Sequence, residues 1–335
     1  MTRLIELREK ILELYRTHSR VIISAMKFLL ALFSFQTINS QVGYMGALNH
    51  IYVVLVLAVI CALLPINVTI FIAGAMVLLH LYALAMEAAV TALIFFLLMF
   101  FLYFRFTPRD GYGVVVTPIA FTFHIPYIMP IGIGLLGNPS SMISMIFGTM
   151  LYYFLNGIRN NASLLDNMAQ EEGTSSKFVV ALNQLLGNKE MYLVIAALVL
   201  AMLVVYVIRR RFIDHAWSIA ISAGILVEFV ILCAGYLIMG ISGRILWLVI
   251  GTVLCSIISL LIEFLFFNLD YSRTERVQFE DDEYYYYVKA VPKISVSSGE
   301  KHVKKISGKK GRREGERITK KQLAKELDID EDMLD

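Results

Sequence analysis

Long apolar runs, separated by short polar breaks, fill most of the chain between residues 21 and 268. A helix needs about 20 mostly apolar residues to cross the hydrocarbon core of a lipid bilayer. On this criterion we predict membrane-spanning helices at residues 21–38, 48–64, 66–84, 86–106, 141–158, 191–208, 216–240 and 244–268. The pattern therefore predicts an all-α fold, a polytopic transmembrane helix bundle of about eight spans.

Residues 113–136 are also apolar, but their proline and glycine content sets them apart from the predicted spans. Proline inside a helix removes a backbone hydrogen bond and clashes with the preceding turn. We therefore expect a re-entrant hairpin or two short half-helices here. Irregular backbone at membrane depth is tolerated only where protein or a water-filled cavity surrounds it, which makes this segment a candidate functional centre. The alternative is a pair of kinked helices that only fill space. The candidate pathway residues of this segment are Pro118, Pro126, Pro130 and His124.

Basic residues in the short loops indicate the orientation of the spans, because cytoplasmic loops are enriched in Lys and Arg. Such residues occur in the first 20 residues, at Arg105 and Arg109, at Arg209 to Arg211, and in the C-terminal tail. All four groups are cytoplasmic if residues 113–136 enter and leave the membrane on the same side. The loop 159–190 is then external and both termini are cytoplasmic. Short turns and a basic tail favour a bacterial-type plasma (inner) membrane.

The two ends of the chain form separate regions on either side of a transmembrane domain at 21–269. Residues 1–20 carry apolar side chains at helical spacing, from Leu4 to Leu14, with charged residues between them. This pattern is typical of an amphipathic helix along the cytoplasmic membrane face, and it equally fits a solvated start of the first span. Residues 270–335 are predicted to be a charged, mostly disordered cytoplasmic tail.

The composition supports the membrane assignment and narrows the chemistry. Hydrophobic residues make up 58% of the chain, whereas soluble domains are about 45–50% apolar. The three cysteines, Cys61, Cys233 and Cys255, lie in apolar stretches without paired spacing, so neither a disulfide framework nor a zinc site is indicated. The sequence has no metal-ligand spacing, no P-loop and no G-x-S-x-G motif, so it identifies no cofactor. A membrane-embedded enzyme is therefore the least supported class.

Ionisable residues inside the predicted spans are further candidates, because a charge within the membrane is energetically costly. Glu228 lies near the middle of the span 216–240, so it must be protonated, paired or facing a polar cavity. One interpretation is a carboxylate that couples transport to a proton or cation, and the alternative is a structural hydrogen bond. Glu87, His80 and His50 lie near the external ends of predicted spans. They are candidates for a polar vestibule, although interfacial placement explains each one as well.

The tail contains separate acidic, aromatic and basic blocks. Residues 280–283 are acidic, and four tyrosines follow them, Tyr284, Tyr285, Tyr286 and Tyr287. Tyrosine and valine favour extended structure, so we predict an interaction segment: a strand that pairs with a partner's sheet, or a strip on lipid headgroups. Residues 301–321 hold ten Lys or Arg against two Glu, which favours contact with anionic lipid. A cytoplasmic protein partner would bind through 280–335, and no nucleic acid partner is expected because no base-reading fold accompanies the basic run.

Two functions fit these features. The broken segment and Glu228 favour transport by a permease or by the membrane subunit of a transporter. The tail favours an alternative, a cell-envelope scaffold or assembly factor that recruits cytoplasmic partners. The sequence identifies neither a substrate nor an energy source.

Overall fold

The chain folds as a bundle of α-helices in a computed structural model, which describes residues 2–108, 110–163, 174–267, 274–281 and 283–292. The first helices are α1 (Thr2–Thr17), α2 (Ser19–Val42), α3 (Ile51–Leu63), α4 (Ile66–Leu84), α5 (Met86–Phe106), α6 (Gly111–Thr122) and α7 (Ile128–Leu136). They are followed by α8 (Met142–Asn160), α9 (Thr174–Leu186), α10 (Lys189–Arg209), α11 (Ala216–Ile238) and α12 (Gly243–Phe266). Two strands, β1 (Glu275–Glu280) and β2 (Tyr285–Ala290), come after the last helix.

The predicted membrane-spanning helices are largely confirmed. Among the described residues, seven helices are long and apolar enough to cross a membrane. They are α2, α4, α5, α8, α10, α11 and α12, and they correspond to seven of the eight predicted spans. The chain is therefore a multi-pass integral membrane protein whose apolar helices contact the lipid bilayer.

The remaining predicted span, residues 48–64, is shorter than the sequence pattern suggested. Helix α3 has 13 residues, which is about 20 Å at 1.5 Å per residue and less than the roughly 30 Å of hydrocarbon. Its end is set by Pro65, because the residue before a proline is disfavoured in helical conformation. Leu64 is accordingly extended, with φ −100° and ψ 166°. The prediction of a full-length helix over 48–64 is therefore wrong at both ends.

The proline-rich segment folds as two short helices, α6 and α7, as expected. A turn at residues 123–127 joins them. Pro126 disfavours helical backbone at the residue before it, and His124 takes the left-handed conformation with φ 60°. The Ile125 N–H donates to the Ala120 carbonyl at 2.9 Å, which satisfies a carbonyl at the end of α6 in the manner of a Schellman motif. The break therefore has a local cause in the sequence.

Hydrogen bonds between helix termini define two ends of the bundle. At one end, Arg209 of α10 donates to the Gly137 carbonyl beyond α7 at 2.7 Å. Ser141 donates to Asp110, just before α6, at 2.7 Å. We call this the Arg209 end. The opposite end, where α10 and α12 begin and α8 and α11 finish, is called the Glu190 end. Because α6 begins and α7 finishes at the Arg209 end, the broken segment enters and leaves at one end of the bundle.

Helix α1 and the start of the tail also lie at the Arg209 end. Arg8 of α1 donates to the Leu265 carbonyl of α12 at 3.2 Å, while apolar side chains of α1 such as Leu7 and Leu14 are exposed. The predicted amphipathic helix thus forms. Lys289 of β2 forms an ion pair with Asp214, which lies between α10 and α11.

The interior divides into a larger cluster around α2 to α5 and smaller clusters around α7, α8 and α10 to α12. The larger cluster is rich in aromatic side chains, including Phe35, Phe96 and Phe154, and it extends to Ala181 of α9. Among the helices of the smaller clusters, α7, α10 and α11 approach one another closely at glycine residues. A methyl group added at Gly134 would lie 2.8 Å from the Val205 side chain. These helices therefore pack with little space between their backbones on the Arg209 side.

The tyrosines of the tail form the second strand of an antiparallel hairpin. Strand β2 pairs with β1, and Phe279 is opposite Tyr286. Their rings stack at 4.8 Å. A strand was one of the two alternatives predicted for this run, and it forms, but in the described structure its pairing strand comes from the same chain. Both strands are exposed along their whole length. The predicted basic run 301–321 lies outside the described residues.

Candidate functional site

A polar cavity lies where the turn of the broken segment approaches the Glu190 end. Residues from the turn, α8, α10, α11 and α12 surround it. Its volume is about 50 Å³, which is enough for a few water molecules since each needs about 10–15 Å³. The lining is mixed: tyrosine hydroxyls and charged groups alternate with aromatic rings. The polar members are Tyr127, Tyr152, Tyr153, Asn156, Glu190, Tyr236 and Arg244.

An ion pair between Glu190 and Arg244 forms one wall of the cavity. The Arg244 Nη2 atom lies 3.4 Å from the Glu190 Oε1 atom, and the Tyr153 hydroxyl donates to the same oxygen at 3.2 Å. Glu190 sits in the first turn of α10, which Asn188 caps by accepting a hydrogen bond from the Met191 N–H at 3.2 Å. The side chain of Arg244 is 50% exposed and that of Glu190 is 15% exposed. The pair therefore faces the mouth of the cavity and draws α8, α10 and α12 together.

The turn of the broken segment forms the opposite wall. The His124 ring lies 5.1 Å from the ring of Trp247 in α12, about one turn from the start of that helix. Gly251, one turn further along, allows this approach. A methyl group there would overlap the Tyr127 ring and would lie 3.1 Å from the His124 carbonyl oxygen. Glycine at this position therefore lets the turn pack directly on α12.

Glu228 lies deeper in the bundle, beyond the turn. It is 2% exposed, and its Oε1 atom has no hydrogen-bond partner among the described residues. Its carboxyl group lies within electrostatic range of the side chains of Tyr127, Tyr236 and Cys255. Tyr127 and Tyr236 also line the polar cavity. The structure thus brings together the two features singled out in the sequence, the broken segment and Glu228.

The three prolines of the broken segment have different surroundings. Pro126 is buried and lines the polar cavity, and Pro130 is buried within α7. Pro118 lines a second cavity of about 40 Å³ between α2, α4, α5, α6 and α8, whose walls are mostly apolar. Gln41 also lines that cavity; its amide nitrogen donates to Thr122 at 3.2 Å, and its amide oxygen is unpartnered among the described residues.

The vestibule residues occupy separate environments. His80 is fully buried. Its Nδ1 atom accepts from the Met45 N–H at 3.1 Å, and its Nε2 atom lies 2.9 Å from the Asn39 side-chain oxygen. His50 stacks on Tyr52 with ring centroids 5.0 Å apart. Glu87 is half-buried in the first turn of α5. In the described structure no hydrogen bond or ion pair joins these three candidates. The contacts of His80 instead hold α2, α4 and the loop after α2 together.

The tail tyrosines lie far from the cavity along the chain and at the other end of the bundle. Asp281 organises the turn of the hairpin: its carboxylate accepts from the N–H groups of Glu283 and Tyr284, at 3.0 and 2.7 Å, and from the Tyr286 hydroxyl at 2.9 Å. These hydrogen bonds hold the pKa of Asp281 below its usual value. Tyr284, Tyr285 and Tyr287 are each more than 60% exposed, so the hairpin presents aromatic surface.

The sequence interpretation missed most of the cavity. Glu190, Arg244 and the four tyrosines were not identified. Tyr127 lies within the broken segment, and the others lie toward the ends of predicted spans or just outside them, where polar residues are common. One signal was present. Arg244 falls on the predicted external side, where arginine is depleted in short loops, and Glu190 falls on the same side. Two opposite charges at one predicted level indicate a pair across helices.

A scan of protein-family models found no match to this chain, and searches of curated proteins and of solved structures found none either. The assignment therefore rests on the sequence and the geometry, and these identify a multi-pass integral membrane protein with a polar cavity next to a buried carboxyl group.

Proposed function

We propose that the protein is a permease or the membrane subunit of a transporter in a plasma (inner) membrane, with both termini in the cytoplasm. One observation carries the proposal: the turn of a broken helix lines a polar cavity and lies close to a buried carboxyl group whose Oε1 atom has no hydrogen-bond partner among the described residues. Discontinuous helices of this kind supply backbone and side-chain groups to substrate sites in many transporters.

The positions of the charged groups support a role for Glu228 in coupling. The cavity at the Glu190 end gives access to the turn, while on the Arg209 side α7, α10 and α11 pack closely around Val205. A transporter must expose one site alternately to the two sides of the membrane, and a site that is open on one side only fits one state of such a cycle. Glu228 lies next to the boundary between the open and the closed regions.

Uptake by reconstituted vesicles tests this proposal. Purified full-length chain in lipid vesicles would be exposed to a mixture of small metabolites under an imposed proton gradient, and vesicle contents measured by mass spectrometry. We expect at least one compound to accumulate above the level in protein-free vesicles. Glu228→Gln should abolish this accumulation, whereas Glu263→Gln, a half-buried carboxyl group on the neighbouring helix, should preserve it. Equal contents in vesicles with and without the chain would contradict a stand-alone permease.

The hairpin favours a second candidate function, a cell-envelope scaffold that recruits a cytoplasmic protein through residues 280–335. The supporting observation is the exposed aromatic surface of β2. Native co-purification in mild detergent separates the two functions, with the full chain compared with a chain that ends at Tyr271. Envelope or signalling proteins that bind only the full chain would favour the scaffold. An ATPase or another transport subunit that binds both chains would favour the membrane subunit of a transporter. The basic run 301–321 is proposed to contact anionic lipid in either case.

A further inference from the structure

The protonation state of Glu228 follows from its surroundings. The turn contributes Tyr127, α12 contributes Cys255, and α11 itself contributes Tyr236. Helix α10 has no ionisable residue between Tyr192 and Tyr206. No cationic group is among these neighbours, and an isolated buried carboxylate is far more costly than a neutral carboxyl group. Glu228 is therefore buried in its protonated form.

Two tyrosines of the cavity lining, Tyr127 and Tyr236, are also close to Glu228. Tyr127 and Tyr236 both line the cavity, and both lie within electrostatic range of Glu228 on one side and of the Glu190–Arg244 pair on the other. A tyrosine hydroxyl can accept one hydrogen bond while it donates another. These side chains are therefore suited to pass a proton between the buried carboxyl group and water in the cavity.

We propose that Glu228 is a proton-binding site that exchanges its proton with the Glu190 end of the bundle through Tyr127 and Tyr236. When the proton leaves, the Glu228 carboxyl group gives it to a tyrosine oxygen, and that hydroxyl releases its own proton to water in the cavity. The tyrosine is unchanged, Glu228 becomes a carboxylate and the water becomes hydronium. The proposal builds on the proposed transport function, for which it names the proton as the coupling ion.

The surroundings of Glu228 favour a proton over a divalent metal cation. Hard cations such as calcium require six to eight oxygen ligands, and magnesium requires about six. Near Glu228 the structure offers one carboxyl group, two tyrosine hydroxyls and the Cys255 thiol, which is a poor ligand for such ions. In the described part of the chain, no group of three His, Cys, Asp or Glu side chains is arranged to hold a metal ion. A proton, by contrast, binds to the carboxyl group itself and needs no set of surrounding ligands.

Infrared spectroscopy of the full-length chain in lipid tests the proposal without any knowledge of the substrate. A protonated carboxyl group has its own C=O stretching band, and this band shifts when the proton is replaced by deuterium. We expect such a band near neutral pH in the wild-type protein and expect Glu228→Gln to remove it, whereas Glu263→Gln should leave it. After transfer from H₂O to D₂O, the band should shift, which reports exchange of the Glu228 proton.

The route is tested by the rate of that shift. Tyr127→Phe combined with Tyr236→Phe should keep the band but slow its shift by about tenfold or more, the effect of roughly one lost hydrogen bond on a barrier. Tyr82→Phe, at an exposed position of α4, is the matched control and should exchange at the wild-type rate. If the double variant is unstable in detergent, each single variant should show slowed exchange.

Each alternative result has a defined meaning. A spectrum in which Glu228→Gln leaves the band unchanged would overturn the protonated site, and wild-type exchange in the folded tyrosine variants would overturn the route. The infrared experiment tests the proton site, and the uptake experiment tests the transport function, so each proposal can be rejected without the other. Uptake without the band would reject the proton site and keep the transporter, whereas an exchanging band without uptake would keep the proton site and reject the permease.

Discussion

His80 in α4 and Glu228 in α11 are both almost fully buried, at 0% and 2% exposure, but their polar atoms have opposite environments. Both ring nitrogens of His80 have partners. Because Nδ1 accepts the Met45 N–H at 3.1 Å, the neutral ring carries its proton on Nε2 and donates to Asn39. The Oε1 atom of Glu228 has no partner among the described residues.

The comparison shows that two equally buried polar residues can differ in whether the polar atoms have hydrogen-bond partners. His80 links α2, α4 and the loop after α2, and its hydrogen bonds offset the cost of removing the ring from water. The Oε1 atom of Glu228 has no such offset among the described residues, and a buried polar atom without a partner costs roughly 1–3 kcal/mol. A residue that costs stability where an apolar one would fit is better explained by a role in function.

The largest effect on stability is expected for His80→Ala. The substitution leaves the Met45 N–H and the Asn39 side-chain oxygen without their partner and opens a cavity. Together these should lower the free energy of unfolding by roughly 3–5 kcal/mol. Thermal or denaturant unfolding in detergent measures the change. His50→Ala, at an exposed position, is the control and should change stability by no more than about 0.5 kcal/mol. Equal effects of the two variants would remove the structural role of His80.

A smaller loss is expected for Gly251→Ala, which tests the packing of the turn beside Glu228. The added methyl group overlaps the Tyr127 ring, so the turn must shift, and overpacking of this kind costs about 1–3 kcal/mol. Because Tyr127 moves, the exchange of the Glu228 proton should slow as well. Gly243→Ala is the matched control, since a methyl group there meets nothing within 4 Å. If Gly251→Ala leaves both quantities unchanged, the turn does not depend on contact with α12.

In contrast to the two preceding substitutions, Glu228→Met is not expected to lower the free energy of unfolding. The Oε1 atom of Glu228 is buried and has no partner among the described residues, so replacing this carboxyl group by an apolar side chain of similar size should leave stability unchanged or raise it by about 1–2 kcal/mol. Glu263→Met provides the contrast. The Glu263 carboxylate accepts a hydrogen bond from Ser218 at 2.5 Å, so its removal should lower stability by about 1 kcal/mol. A loss of more than about 2 kcal/mol in Glu228→Met would mean that Glu228 has a stabilising partner.

The Glu228 region stands out in the sequence more than its neighbours do, for a physical reason. A carboxyl group in the middle of one apolar run and prolines within another both depart from the pattern of an ordinary membrane-spanning helix. Such departures can be recognised without a structure. The ring of polar groups around the cavity is different. Tyr127, Tyr153 and Tyr236 are ordinary residues in a sequence rich in tyrosine, and only the packing of several helices brings their hydroxyls together. His80 also looked like a candidate in the sequence, because its partners Asn39 and Met45 belong to a distant segment.

The same limit applied to element boundaries. Most spans were predicted because their length and hydropathy are local properties of the chain. The short helix α3 was not, since its apolar composition continues past the point where Pro65 ends the helical conformation. In the tail, the tyrosine run indicated a strand, but the register with β1 depends on a turn that Asp281 organises through three hydrogen bonds.

The smallest effect is expected at an exposed contact, the ion pair between Lys289 of the hairpin and Asp214. Lys289 lowers the pKa of Asp214 below its usual value. A lowered pKa in the folded state stabilises the contact above the usual pKa of about 3.9 and loses that effect as the pH falls through the lowered pKa. The ion pair should therefore persist at neutral pH and weaken only below about pH 4.

The distance between two spin labels, one on the hairpin and one on the loop between α10 and α11, measures this contact. The labels are introduced through Tyr287→Cys and Ile213→Cys in a chain whose three natural cysteines have been replaced. The distance distribution should be narrow at neutral pH and broaden in acid. Lys289→Ala should broaden it at neutral pH, whereas Lys289→Arg should not. Neither variant should alter the unfolding of the bundle, because exposed ion pairs contribute little. If Lys289→Ala instead lowered the stability of the bundle, the hairpin would be a structural part of the transmembrane domain. The hydrogen-bonded and ion-paired groups that stabilise the fold would then include exposed ones as well as the buried ones around His80.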